Sequence, residues 1–145
     1  MVDFFAPNCA ASLSVSRFGI CDDRPHKPAY MTAENAKNWL LEVVNQSAQT
    51  VDFHAVDHCI TLNRPDGKPA KKCEGLLVVQ ALNQLIFLEL KAIQNPKKGN
   101  WKTEAIEQLE ETIAHFKQHH PNVSYRLRAH IGYPRKRQCG HGVYK

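Results

Sequence analysis

No CxxC pair, no internal repeat, no low-complexity tract and no apolar run of membrane-spanning length occurs in these 145 residues. The opening residues MVDFFAPNCAAS also lack the basic start and continuous apolar stretch of a secretory signal. These absences argue against a membrane partner and lead to the expectation of a cytoplasmic protein. The five cysteines, Cys9, Cys21, Cys59, Cys73 and Cys139, are odd in number, which suits free thiols in a reducing compartment better than a disulfide framework. A zinc site built from Cys59, Cys73, Cys139 and His141 lacks any ligand-pair spacing, so these cysteines read first as small core residues. Acidic residues are missing from the C-terminal stretch. None follows Glu111, whereas Lys117, Arg126, Arg128, Arg135, Lys136, Arg137 and Lys145 do. A one-sign stretch of this kind fits a polyanion-binding surface and a solvated tail equally well.

What is present is an ordinary globular composition, 43% apolar and 23% charged with a net charge of +5, at a length that suits one domain. Residues 1–31, with Pro7, Pro25, Pro28 and the polar run CDDR, read as an N-terminal arm holding a short strand within 13–20. Thr32 is a good N-cap, and Ala36, Trp39, Leu40, Val43 and Val44 recur at helical spacing, which predicts a helix over 32–46. Strands are expected over 50–62, 74–82, 85–92 and 123–133, with a strong turn at Asn63-Arg64-Pro65-Asp66-Gly67. Trp101, Ala105, Ile106, Leu109, Ile113 and Phe116 predict a helix over 101–119. The chain thus divides into the arm, a core over 32–133 and a basic tail over 134–145. Its fold class is α+β, an α/β sandwich with a mixed central sheet flanked by helices.

One stretch carries chemistry. In LIFLELKA, residues 85–92, Ile86, Leu88, Leu90 and Ala92 share one strand face, while Glu89 and Lys91 share the other. If Asn83-Gln84 is a two-residue hairpin turn, Val78 falls opposite Glu89, Leu76 opposite Lys91 and Glu74 opposite Ile93. Glu74 then joins Glu89 and Lys91 on one face. Two carboxylates suit Mg²⁺ or Mn²⁺, and an adjacent lysine could orient or deprotonate a water. The plainer structural alternative is a Glu89–Lys91 salt bridge at the rim of the sheet, with Glu74 solvated.

In element order and spacing the chain resembles the PD-(D/E)XK nuclease-like superfamily, which includes restriction endonucleases and Holliday junction resolvases. The matching residues are Glu74 in CEGLLV and Glu89 and Lys91 in FLELK, fifteen positions apart from Glu74 to Glu89. The resemblance implies a restriction-endonuclease-like αβββαβ core over roughly 32–133. It also implies Glu74 and Glu89 as ligands of Mg²⁺ (or Mn²⁺), Lys91 as the water-activating group and Gln108 as a supporting residue on the helix that follows. The usual first ligand of that family is aspartate, often after proline; here it is glutamate after cysteine. Some members use an acid of the first helix, for which Glu34 and Glu42 are the candidates, and Asp57 is a further candidate ligand or a turn residue.

The function implied is metal-dependent hydrolysis of phosphodiester bonds, with DNA as the expected partner. Lys97, Lys98, Arg126, Arg128, Arg135, Lys136 and Arg137 are the candidate backbone-binding residues. A homodimer is expected by analogy with the family alone. The alternative is an inactive module of the same fold that binds nucleic acid or a protein partner. His115, His119 and His120 have a spacing compatible with a metal but read first as residues favoured by the end of a helix dipole and by solvent. Trp101 reads as a core anchor, Lys102 as a further phosphate contact or loop solubiliser, and Asp22 and Asp23 have no partner in sequence.

Overall fold

The computed structural model describes residues 2–91 and 99–133. Its elements are β1 (Ala10–Leu13), β2 (Arg17–Cys21), β3 (Tyr30–Thr32), β4 (Leu41–Val44), β5 (Val51–Ala55), β6 (Gly75–Val79), β7 (Gln84–Leu90), α1 (Trp101–His119) and β8 (Arg126–Gly132). Strands β1-β5-β6-β7-β8 form a five-stranded sheet, and β3-β2-β4 form a three-stranded sheet. All pairs of the larger sheet are antiparallel except β7 with β8, which run parallel across the intervening helix. The fold is therefore mixed α+β.

The period of two along β6 and β7 divides the core. Leu77, Val79, Ile86, Leu88 and Leu90 meet Phe18, Ile20, Leu41 and Val43 of the smaller sheet. Leu76, Val78, Leu85 and Phe87 meet Leu109 and Phe116 of α1 and Phe4 of the N-terminal segment. Burial on both faces explains why β6 reads as an unbroken apolar run. Gly75 permits close packing there, since a Cβ would lie 2.7 Å from the His54 carbonyl and 2.5 Å from the Phe53 ring.

The helix expected over 32–46 is not formed. A 3-10 turn at Ala36–Asn38 is followed by β4, which pairs with β2. In LEVV, Leu41 and Val43 are buried while Glu42 and Val44 are partly exposed, a two-residue alternation that the neighbouring β2 selects. Trp39 packs on Gly19 instead of on a helix neighbour: a Cβ at Gly19 would fall 2.0 Å from its ring. The central sheet accordingly has a helix on one face and a second sheet on the other, not helices on both. The arm is also integrated. Strand β1 pairs with β5, and β3 spans the expected boundary at residue 31.

The expectation of free thiols is corrected at two positions: Cys9 and Cys59 form a disulfide, with Cα atoms 6.0 Å apart and a sequence separation of 50. Cys59 is thereby removed as a zinc ligand. Cys21 and Cys73 are free and buried, and Cys139 and His141 lie outside the described residues. The bridge ties the start of β1 to the loop after β5. Its reduction is expected to cost about 2–4 kcal/mol of stability through restored loop entropy in the unfolded chain. Denaturant titration with and without a dithiol, using Cys9→Ser as the non-reducible reference, measures this, and no difference would mean the bridge constrains nothing. Among the described residues no helix is long and apolar enough to cross a membrane.

Candidate active site

The β6–β7 hairpin is four residues away from its expected register: Val78 faces Leu85, Leu76 faces Phe87 and Gly75 faces Leu88. The cause is the connection, a 3-10 turn at Gln80–Leu82 closed by Asn83 at φ 51°, in place of a two-residue turn at Asn83-Gln84. An even slip preserves facing, so Glu74 stays on the side of Glu89 and Lys91. Continuing the observed register puts Glu74 level with Glu89, and the Glu74 N–H donates to the Leu88 carbonyl at 3.0 Å.

Both glutamates are buried under the α1 side of the sheet, Glu89 being 1% and Glu74 8% exposed. Lys91 Nζ lies 3.0 Å from Glu89 Oε2 and donates to Gln108 Oε1 at 2.8 Å. The Gln108 amide nitrogen donates in turn to the Lys72 carbonyl at 3.3 Å. The ion pair of the plainer alternative is thus formed, yet in the interior, and Glu74 is not solvated. Helix α1 is fastened to the segment entering β6 one turn further on. Thr112 Oγ1 accepts the Cys73 N–H at 2.8 Å, and Glu111 accepts the Lys71 N–H at 2.9 Å while pairing with Arg64. These bonds set Gln108 against Lys91 and hold Glu74 beside them.

The electrostatics follow from burial. Desolvation, reinforced by Asp22, Glu89 and Asp57, pushes the Glu74 carboxyl up to about 8. Desolvation pushes Glu89 up to about 7, and Lys91 pulls it back from a larger rise. One oxygen of each, Glu74 Oε2 and Glu89 Oε1, is buried and has no hydrogen-bond partner among the described residues. Buried acceptors are seldom left unpaired. Two orphaned carboxylate oxygens on one face therefore fit a hard divalent cation, which is commonly held by one or two carboxylates, water and substrate phosphate. Among the described residues no group of three or more His, Cys, Asp and Glu is arranged to hold a metal, so an ion at this point would meet only the two carboxylates.

An open cleft of about 330 Å³ is lined by Lys71, Lys91, Glu104 and Gln108. The Lys91 side chain, 20% exposed, stands between cleft and carboxylates. Lys71 pairs with Glu107, and Lys72 lies 3.7 Å from Asp57. Lys71, Lys72 and Asp22 were not identified as site residues from sequence. The two lysines could have been noticed as immediate neighbours of Cys73-Glu74, whereas Asp22 carries no local signal.

Other candidates lie elsewhere. Glu42 pairs with Arg17 on the outer side of the smaller sheet, and Glu34 is exposed in the turn before β4. With the first helix absent, neither joins Glu89. Asp57 accepts the His58 N–H and pairs with Lys72, so it acts as a turn residue at the margin of the site. Arg126 and Arg128 are exposed on β8 opposite Gln84 and Ile86, hence on the face away from Glu89. Lys97, Lys98, Arg135, Lys136 and Arg137 lie outside the described residues. Trp101 is buried as expected, and Lys102 lies over its ring. Asp23 accepts a hydrogen bond from the Tyr30 hydroxyl. No family model matches this chain, and neither a curated protein nor a solved structure matches it.

Proposed function

We propose that this protein is a divalent-metal-dependent nuclease acting on DNA, with Glu74 and Glu89 as the metal ligands, Lys91 as the group that acts on water and Gln108 as its support. The observation that carries the reading is the pair of buried carboxylate oxygens, without a hydrogen-bond partner among the described residues, beside an ammonium group that lines an open cleft. Further support comes from the order β5-β6-β7-α1-β8, which agrees with the βββαβ part of a restriction-endonuclease-like core. The missing first helix removes one expected source of ligands. A bound Mg²⁺ or Mn²⁺ would supply a coordinated water of lowered pKa and neutralise charge on the phosphate.

The chain's own groups perform the remaining tasks. Glu74 and Glu89 release their protons to hold the cation. Gln108 accepts one Lys91 hydrogen and so aims the ammonium at the mouth of the cleft. Lys91 there orients the attacking water or stabilises negative charge developing on the phosphate. Lys71 lines the cleft by which a phosphate backbone would approach. Substrate reaching Arg126 and Arg128 as well would have to bend around the β8 edge. The reading keeps the cytoplasmic location expected from sequence, where the Cys9–Cys59 bridge is open to reduction.

A second reading, an inactive module of the same fold, is favoured by the protein ligand set of only two carboxylates. Incubation of supercoiled plasmid and of single-stranded DNA with Mg²⁺ or Mn²⁺ separates the two. Nicking that requires the metal and is lost in Glu89→Ala is expected. Intact substrate after incubation with folded, metal-loaded wild type would favour the binding module.

A further inference from the structure

Helix α1 carries a second pair of metal-ligating side chains that the candidate active site does not use. His115 and His119 are four residues apart and therefore share one helix face. Their rings lie parallel, 9° between planes, with centroids 6.3 Å apart. Both residues are half-buried, and among the described residues neither imidazole has a hydrogen-bond or ion-pair partner. Nearby groups that could compete for them are committed. Glu111, one turn earlier, is bound by Arg64 at 2.9 and 3.0 Å and by the Lys71 N–H. His120 Nε2 accepts the Phe4 N–H at 3.1 Å, and its ring packs against Phe4, Phe5 and Phe116. His115, which lies within electrostatic reach of Glu111, and His119 are thus two adjacent, half-buried imidazoles with no hydrogen bond to a described residue.

We propose that His115 and His119 form a binding site for a borderline transition-metal dication, Cu²⁺ most tightly and Zn²⁺ or Ni²⁺ less so, completed by water. Metal–nitrogen bonds of about 2.0–2.1 Å are reached by rotating the two rings toward each other on the solvent side of the helix, with no backbone change. Imidazole pairs suit these ions and not Mg²⁺, and the order of affinity follows the general series for nitrogen ligands. Gln108 lies seven residues before His115, roughly 10 Å along the helix axis, so this site shares no ligand with Glu74 and Glu89. A metal clamped across four residues pins the last turn of α1. That turn ends where the His120 N–H meets the Phe116 carbonyl at 2.8 Å and where His120 holds the N-terminal segment. The ion would therefore stiffen the helix end from which His120 holds the N-terminal segment.

Titration of the full, tag-free, chelator-stripped chain with Cu²⁺, followed by calorimetry and by electron paramagnetic resonance, tests this. One equivalent bound through nitrogen is expected at the pair. His115→Ala and His119→Ala should each weaken it roughly tenfold or more, a loss expected when a two-nitrogen chelate becomes a single ligand. Glu89→Gln should leave the binding unchanged. Affinity and nitrogen hyperfine signal that persist in the double variant His115→Ala/His119→Ala would overturn the assignment, as would wild type that binds no Cu²⁺. Unchanged melting of the metal-free variants guards against misfolding as the cause of a loss.

Discussion

Lys91→Ala is expected to lower metal-dependent DNA cleavage by roughly 10³-fold or more, the scale of losing a positioned acid–base or charge-stabilising group. Among the described residues no other cation pairs with Glu89. Lys71 is committed to Glu107 and Lys72 lies by Asp57, whereas Lys91 alone bridges Glu89 at 3.0 Å and Gln108 at 2.8 Å. The fold should survive. Lys91 lies at the cleft, and Glu89, once deprived of its partner, stays protonated instead of remaining as a bare buried charge. Lys91→Met keeps more of the side-chain volume and should be equally inactive. Gln108→Ala should lose less, since it frees the ammonium without removing it. Plasmid nicking measured beside thermal melting decides the point. Cleavage by a folded Lys91→Ala protein at the wild-type rate would sink the assignment of Lys91 and, with it, the chemistry proposed for the site.

The second large effect concerns pH and metal. Without metal, stability is expected to fall as pH rises from about 6.5 to 8.5, by an amount on the order of 2–4 kcal/mol. Glu74 and Glu89 titrate near 8 and 7 in the folded protein because burial disfavours their charge. In the unfolded chain they are ordinary carboxyls, already ionised across this range. The folded state therefore holds more protons, and stability declines as pH passes through the folded values. His54 and His120, lowered by burial, act in the opposite direction below about pH 6.5, which is why the upper window is the informative one. Added Mn²⁺ should reverse the slope, since the cation compensates the paired carboxylates. Its stabilisation should grow with pH toward roughly 3 kcal/mol at a hundredfold excess over Kd. Glu74→Gln/Glu89→Gln should flatten both the pH slope and the metal response. A wild-type slope that is flat or positive between pH 6.5 and 8.5 would show that the two carboxyls do not share a dry, cation-free pocket.

Much of this molecule is local physics, and those parts were legible. The helix expected over 101–119 is α1, Trp101–His119, because Trp101, Ala105, Leu109 and Phe116 repeat at the helical period and pack on one side. Ile106, placed in the same stripe, is 48% exposed. It sits at the margin of the apolar arc, where only the neighbouring sheet decides what is covered. The gathering of Glu74, Glu89 and Lys91 on one face was likewise legible, because it depends on the two-residue period of strands. An error of four residues in the hairpin register left that parity intact.

Tertiary structure decided the rest. LEVV satisfies a strand as well as a helix, and pairing with β2 made it β4. Cys9 and Cys59 stand 50 residues apart, so their bond depends on how β1 meets β5. Glu89 is an interior residue and not a rim residue because α1 covers the end of β7, and the same packing sets Gln108 against Lys91. Sequence by itself determines periodicity, and hence which side chains share a face. How deeply that face is buried depends on contacts between segments far apart in the chain. That depth turned the glutamate of a common ExK tripeptide, together with Glu74, into a pair of buried carboxyls of raised pKa.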